Sequence, residues 1–231
     1  MFFIAALLSA GLVWLFLNVD LVPHPASVER GLIDHFIKIL LAIASVFFAV
    51  IITVFVYTLF FFRRRPGDLG DGLPRRGYPP LELAWTIVPL VVVIALAAYG
   101  AVVLNNMTAP GPPQSELEVN VTASRFAWQF EYPQYGIKSF ELELPVDRRV
   151  LFRIQSKDVV HSFWVQEFGP KQDAVPGITT ELRITPTKIG NYLVRCSQLC
   201  GWGHTYMTAP VHVTSPSDFD NWVRTQQSQQ Q

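Results

Sequence analysis

Both cysteines of this 231-residue chain fall in one short stretch, CSQLCGWGHTYM, from Cys196 to Met207. The thiols are spaced i, i+4, His204 follows four residues after Cys200, and Met207 comes three after that. A cysteine pair in an oxidising compartment most often closes a disulfide. The neighbours point to other chemistry, because two thiolates, an imidazole and a thioether are the soft donors that select copper. Upstream, His161 in DVVHSF supplies a second imidazole from another strand end. Alone it reads as an ordinary strand histidine; combined with the cysteine loop, it favours metal over a disulfide.

A scaffold has to bring these side chains together, and the pattern beyond Leu117 describes one. Leu117, Val119 and Val121 alternate with polar residues. So do Phe126, Trp128, Phe130 and Tyr132, then Phe140, Leu142 and Leu144, then Val150, Phe152 and Ile154. Short strands separated by YPQYG, PVD, VPG and TKIGN predict an antiparallel sandwich or small barrel. Residues 108–215, about 110 in number, are the size of one such domain. The cysteine loop follows the strand NYLVR and so lies at the end of a sheet. From Thr108 onward the chain carries 11 Lys/Arg and 12 Asp/Glu, a net charge of −1. With no basic patch, nucleic acid is excluded as a partner. Residues 216–231 read as a polar tail, and its last residues, QQSQQQ, as disordered.

The amino-terminal part is of a different kind. Half the chain is hydrophobic at zero formal net charge, and the apolar residues are concentrated before Asn105. Phe36 to Phe62 is apolar except for Lys38 and a few hydroxyl residues, and Leu83 to Leu104 contains no charge. A helix of about 20 such residues crosses a ~30 Å hydrocarbon layer, so both are predicted spans. Pro89 does not forbid the second, since a membrane helix tolerates a proline kink. The connection, 63–82, holds Arg63, Arg64, Arg65, Arg75 and Arg76 against Asp68, Asp71 and Glu82. That excess places it in the cytoplasm and the β domain on the opposite side. Residues 1–20 read either as a signal peptide or as a third span. They lack a basic n-region and a clear small-residue cleavage site, which favours a retained helix. The expected organisation is 1–20 as this extra segment, a helical hairpin over 21–107, the β domain over 108–215, and the tail.

DVVHSF, then DAVPG, then CSQLCGWGHTYM closely resemble the copper-binding domain of subunit II of haem–copper cytochrome c oxidases. The family pattern H…C-x-x-x-C-x-x-x-H-x-x-M is matched at His161, Cys196, Cys200, His204 and Met207. ELAWTIVP, opening the second span, extends the resemblance over nearly the whole chain. The resemblance implies a hairpin of two transmembrane helices, or three with residues 1–20, followed by an all-β cupredoxin-like Greek-key sandwich. It also implies a binuclear CuA centre, with both thiolates bridging two copper ions and one histidine on each. Met207 and the backbone carbonyl of Gln198 would be weak axial ligands. The implied role is that of a non-catalytic electron-transfer subunit. It would accept electrons from cytochrome c or a similar small donor and pass them to the haems of subunit I, for oxygen reduction coupled to proton pumping. The implied partners are subunit I, other oxidase subunits, the donor and membrane lipid. The implied location is a bacterial cell membrane, with the copper domain on the periplasmic side.

The resemblance marks further residues. Glu82 stands where the family places a glutamate that feeds protons into subunit I; on its own it reads equally as a carboxylate favoured by a helix start. Many relatives carry Glu at position 198, whose side chain binds Mg²⁺ at the subunit I interface. Gln198 brings no charge, which puts that Mg²⁺ in doubt. The family's surface aromatics for electron uptake fall on Phe126 and Trp128, with Trp202 nearby on the copper loop. The alternation around Trp128 reads equally as a strand's core face. His24, His35 and His212 carry no sign of metal binding. A quinol oxidase subunit II shares the architecture but lacks the copper ligands, all of which are present here. A nitrous oxide reductase copper domain does not fit the hairpin. A CuA subunit of a nitric oxide reductase and a membrane-tethered copper-delivery protein remain as alternatives.

Overall fold

The computed structural model describes residues 1–19, 23–64, 66–67, 70, 74, 77–112 and 115–229. Of the loop arginines only Arg63 and Arg64 are among them; Arg65, Arg75 and Arg76, with Asp68 and Asp71, lie outside the described residues. The chain forms two compact units. One holds α1 (Phe2–Asn18), α2 (Val28–Phe61) from His35 onward, and α3 (Pro79–Thr108) up to Val103. The other holds the β strands, the last helix, α2 up to Asp34 and α3 from Leu104 onward.

Helices α2 and α3, 34 and 30 residues long, are each long and apolar enough to cross a membrane; α1 is a shorter apolar helix. Large apolar side chains such as Phe48, Ile51, Phe55, Val91, Val93 and Ile94 face outward. Water would penalise that surface and lipid would not. Helix α3 carries Pro89 in its interior, and its first turn is closed by Glu82, whose Oε1 accepts the Tyr78 N–H at 2.9 Å. The rings of Phe36 and Tyr99, 5.6 Å apart, join α2 to α3.

The β unit is a sandwich of two five-stranded sheets. Its strands are β1 (Leu117–Ser124), β2 (Ala127–Tyr132), β3 (Ile137–Ser139), β4 (Leu142–Pro145), β5 (Val150–Ser156), β6 (His161–Val165), β7 (Lys171–Ala174), β8 (Thr180–Ile184), β9 (Gly190–Cys196) and β10 (Thr208–Thr214). The orders are β3-β2-β1-β5-β8 and β4-β10-β9-β6-β7. An antiparallel sandwich was the expectation, but β1/β5 and β4/β10 pair in parallel. Parallel neighbours need a crossover, and the chain makes one by visiting the other sheet between the paired strands.

The period-two residues are buried as expected at Leu117, Val119, Val121, Trp128, Phe130, Tyr132, Leu142, Leu144, Val150, Phe152 and Ile154. Phe140 departs from the pattern. It sits in the bend between β3 and β4, off the pleat that would turn it inward, and is exposed. The sandwich also binds helical segments. Arg149 donates to the carbonyls of Met107 and Ala109, so a cation caps the carboxyl end of α3. Glu29, in the first turn of α2, accepts the Thr185 N–H at 2.8 Å, and Arg30 donates to the Gln166 carbonyl at 2.8 Å.

Residues 216–229 are not a structureless polar tail, and the expected disorder of QQSQQQ fails up to Gln229. They form α4 (Pro216–Gln229), which buries Phe219 and Val223 and packs Trp222 5.1 Å from the Tyr132 ring. Ser215 caps it by accepting the Asp218 N–H.

Candidate metal centre

Two neighbouring strands and one loop bring the donors together. His161 is the first residue of β6 and Cys196 the last of β9; these strands pair antiparallel, with Phe163 opposite Cys196. The Ser197 N–H donates to the Ser162 carbonyl at 2.9 Å and continues that pairing into the loop. The loop returns through a 3-10 turn, His204–Tyr206, into β10, and the Cys196 N–H donates to the Met207 carbonyl at 3.1 Å. Both ends of the cysteine segment are therefore tied to strand backbone, while its middle is free to turn its donors inward.

The cysteines are free, with sulfurs 3.8 Å apart. Nδ1 of His161 lies 3.8 Å from the Cys196 sulfur, and Nδ1 of His204 lies 3.6 Å from the Cys200 sulfur. Each imidazole thus serves a different thiol. The Met207 sulfur is 3.9 Å from that of Cys200, and the Cys196 thiol donates to the Gln198 carbonyl at 3.3 Å. Among the described residues, His161, Cys196 and Cys200 form a group whose ligand atoms all lie within 4.8 Å of one another. Thiolate–metal bonds of about 2.3 Å span these gaps without rearrangement, so the donor set fits a soft metal. His161, Cys196, Cys200 and Met207 are buried, and His204 is half-buried.

Burial, then the neighbouring Cys196, pushes the Cys200 thiol up to about 11. Without metal the Cys200 thiol therefore keeps its proton at neutral pH. Behind His161 stands Asp158, whose Oδ1 accepts the imidazole Nε2–H at 2.8 Å. Burial raises this carboxyl, but hydrogen bonds from His161, Arg125 and Val159 outweigh it and hold Asp158 well below the usual carboxylate range. An ionised Asp158 is an acceptor only, which leaves Nδ1 of His161 free for a metal. Asp158 was not among the site residues expected from the sequence. Its place three residues before His161, at a turn entering a strand, is the signal that could have marked it.

The aromatic residues separate. Trp128 is 1% exposed; its ring lies 6.2 Å from that of His161, and its Nε1 donates to the Met207 carbonyl at 3.5 Å. It floors the site and offers no surface for docking. Trp202 is 88% exposed, and Phe126 is half-buried beside it with ring centroids 5.5 Å apart. Leu199 and Tyr206 are also exposed on the loop. The Gln198 side chain is exposed. His212 lies on β10, where its Nδ1 hydrogen bonds to the Asn191 side chain.

Two apolar helices joined to a cupredoxin-like sandwich define a membrane-anchored protein whose convergent thiol, imidazole and thioether donors could hold a metal. The family model described as the transmembrane domain of cytochrome c oxidase subunit II matches residues 12–103, and that of the periplasmic domain matches residues 139–215. Cytochrome c oxidase subunit 2 of Thermostichus vulcanus is 34% identical over 93% of this chain and 81% of its own length. This chain belongs to the cytochrome c oxidase subunit II family, and so to the oxidase subunits among the oxidoreductases. A probable quinol oxidase subunit 2 of Staphylococcus saprophyticus is 31% identical over 81% of this chain and 51% of that one. The crystal structure of the periplasmic domain of subunit II of the Bradyrhizobium japonicum cytochrome oxidase is similar over 51% of this chain and 97% of that one. Its TM-score is 0.48 and its identity 26%.

Proposed function

We propose that the chain is the electron-receiving subunit of a haem–copper cytochrome c oxidase, with a binuclear CuA centre held by His161, Cys196, Cys200, His204, Met207 and the carbonyl of Gln198. The observation that carries this is the placing of one imidazole at each of two thiols that are themselves 3.8 Å apart. Copper held by these residues would supply a one-electron couple there. The protein's part is to hold the donors still. Strand-end backbone hydrogen bonds fix the loop, Asp158 sets the His161 tautomer, and the burial of Trp128 and Met207 keeps water from beneath the sulfurs.

The partner that consumes the electron is subunit I, and the donor is cytochrome c or another small redox protein meeting Trp202 and Phe126. The arginines of the loop between the spans set that loop in the cytoplasm of a bacterial cell, and the copper domain then faces the periplasm. Glu82, at the cytoplasmic start of α3, delivers protons to subunit I. The retained ligand set distinguishes this reading from a quinol oxidase.

The test is electron paramagnetic resonance of the full chain reconstituted with copper. A mixed-valence signal from two equivalent ions, retained against a chelator, is expected. A single-copper signal, or copper surrendered at once, would instead identify a copper-delivery protein.

A further inference from the structure

We infer that the turn between β1 and β2, Arg125–Phe126, is a brace that positions both halves of the ligand set, acting on His161 through Asp158 and on the Cys200–His204 loop through the Phe126 ring. The two halves come from different parts of the chain, β6 and the loop after β9, while the turn belongs to the opposite sheet.

On one side, the Arg125 N–H donates to Oδ2 of Asp158 at 2.8 Å while Oδ1 of the same carboxylate takes the His161 Nε2–H at 2.8 Å. The Val159 N–H also donates to Oδ1, at 2.7 Å. Asp158 is therefore held from three directions, and the imidazole it holds presents Nδ1 to the Cys196 sulfur. On the other side, the Phe126 ring lies against the backbone of the ligand loop. A Cβ added to Gly203 would stand 2.6–2.8 Å from three Phe126 ring atoms, and one on Gly201 would stand 3.2 Å from two. Gly203 has an ordinary backbone conformation, φ −88°. Its lack of a side chain is thus required by the ring above it and not by the turn. Gly201 and Gly203 bracket Trp202, so the ring backs the stretch between Cys200 and His204. This gives Phe126 a duty apart from meeting a donor, and fits its half-buried state beside the exposed Trp202.

The inference rests on the copper reading only for its metal readout, so the test uses two readouts on the full chain in detergent. In the copper-loaded chain, Asp158→Ala and Phe126→Ala should each release copper to a chelator about 10-fold or more faster, as loss of an outer-shell partner does. Asp158→Asn, which keeps an acceptor oxygen, should recover most of that loss. Gly203→Ala, which pushes the ring away, should resemble Phe126→Ala. In the metal-free chain, Phe126→Ala and the milder Phe126→Leu should speed amide exchange at His204 and Tyr206, whose N–H groups donate to Gly201 and Gly203, and at Arg125. Unchanged exchange at these amides in every Phe126 variant would overturn the brace whether or not the protein binds copper. Wild-type copper release in both alanine variants would overturn it too. Faster exchange in a chain whose wild type gives no binuclear signal would support the brace and sink the copper reading alone.

Discussion

The sulfurs of Cys196 and Cys200 lie 3.8 Å apart, nearly twice the length of a disulfide bond, and each has its own imidazole. Neither thiol can be replaced without leaving one histidine facing no sulfur. Cys196→Ser and Cys200→Ser should each abolish the binuclear optical and paramagnetic signature. Met207→Leu, which removes the thioether and keeps the packing volume, should retain copper with a shifted reduction potential. Visible spectra of the three reconstituted variants test this, and an unaltered spectrum in either serine variant contradicts it.

Copper uptake should release protons. The Cys200 thiol, pushed up to about 11, is protonated below that pH, so metal must displace its proton. Conditional affinity should therefore rise steadily from about pH 6 to about pH 9, with no plateau near the ordinary thiol range. The same shift runs the other way for the metal-free fold. A raised pKa favours the protonated native state, so this contribution is present below the ordinary thiol pKa and lost as pH climbs towards 11. Chelator competition across that range, with proton release followed in weak buffer, measures the first effect; pH-independent affinity would refute it.

Glu82 has a structural duty in the capping of α3 through the Tyr78 N–H, and two substitutions separate it from proton delivery. Glu82→Ala removes both the cap and the acid, and should cost about 1 kcal/mol of helix stability. Glu82→Gln keeps an acceptor but carries no proton. Steady-state turnover of the assembled oxidase should fall in both variants. A glutamine variant with wild-type turnover would leave Glu82 only its capping role.

Gln198 offers an amide where a carboxylate would serve Mg²⁺. A hard dication prefers anionic oxygen, so the purified complex should lose Mg²⁺ or Mn²⁺ to a chelator wash, whereas Gln198→Glu should retain about one ion per complex. Elemental analysis decides; stoichiometric retention by the wild type would be contrary to this expectation.

Trp202 is the most exposed aromatic residue of the cysteine loop. Trp202→Ala should slow reduction by the donor while the copper spectrum stays intact, whereas Phe126→Ala should alter both. The sandwich and its final helix carry nearly balanced charge, so the on-rate should fall only modestly between low and physiological salt. Stopped-flow reduction at several ionic strengths measures both; a steep salt dependence would move the docking surface to a charged face.

Much of the site was legible in the linear chain because its contacts are local. Cys196, Gln198, Cys200, His204 and Met207 occupy one loop, where connectivity alone keeps the donors close, and two long uncharged runs announce the spans by length. His161 was readable because a soft-donor loop lacks a second imidazole without it. Helix α4 carried a signal too. Ser215-Pro216 with Asp218 is a capping pattern, and Phe219, Trp222 and Val223 share one helical face, but the glutamines that follow drew attention to polarity instead.

The outer support of the metal site was decided only by the fold. Arg125 and Asp158 stand 33 positions apart, and Trp128 and Met207 stand 79 apart. Alternation says that Trp128 and Phe126 share a side of their strand, yet one floors the site and the other leans on its loop, because Phe126 lies in the turn before the strand begins. Phe140 is exposed for a similar reason, having left the pleat. Period-two patterning assigns faces within a strand. Which strand end meets which loop depends on sheet order and crossovers, and those follow from packing two sheets together, a global free energy that no local stretch of sequence contains.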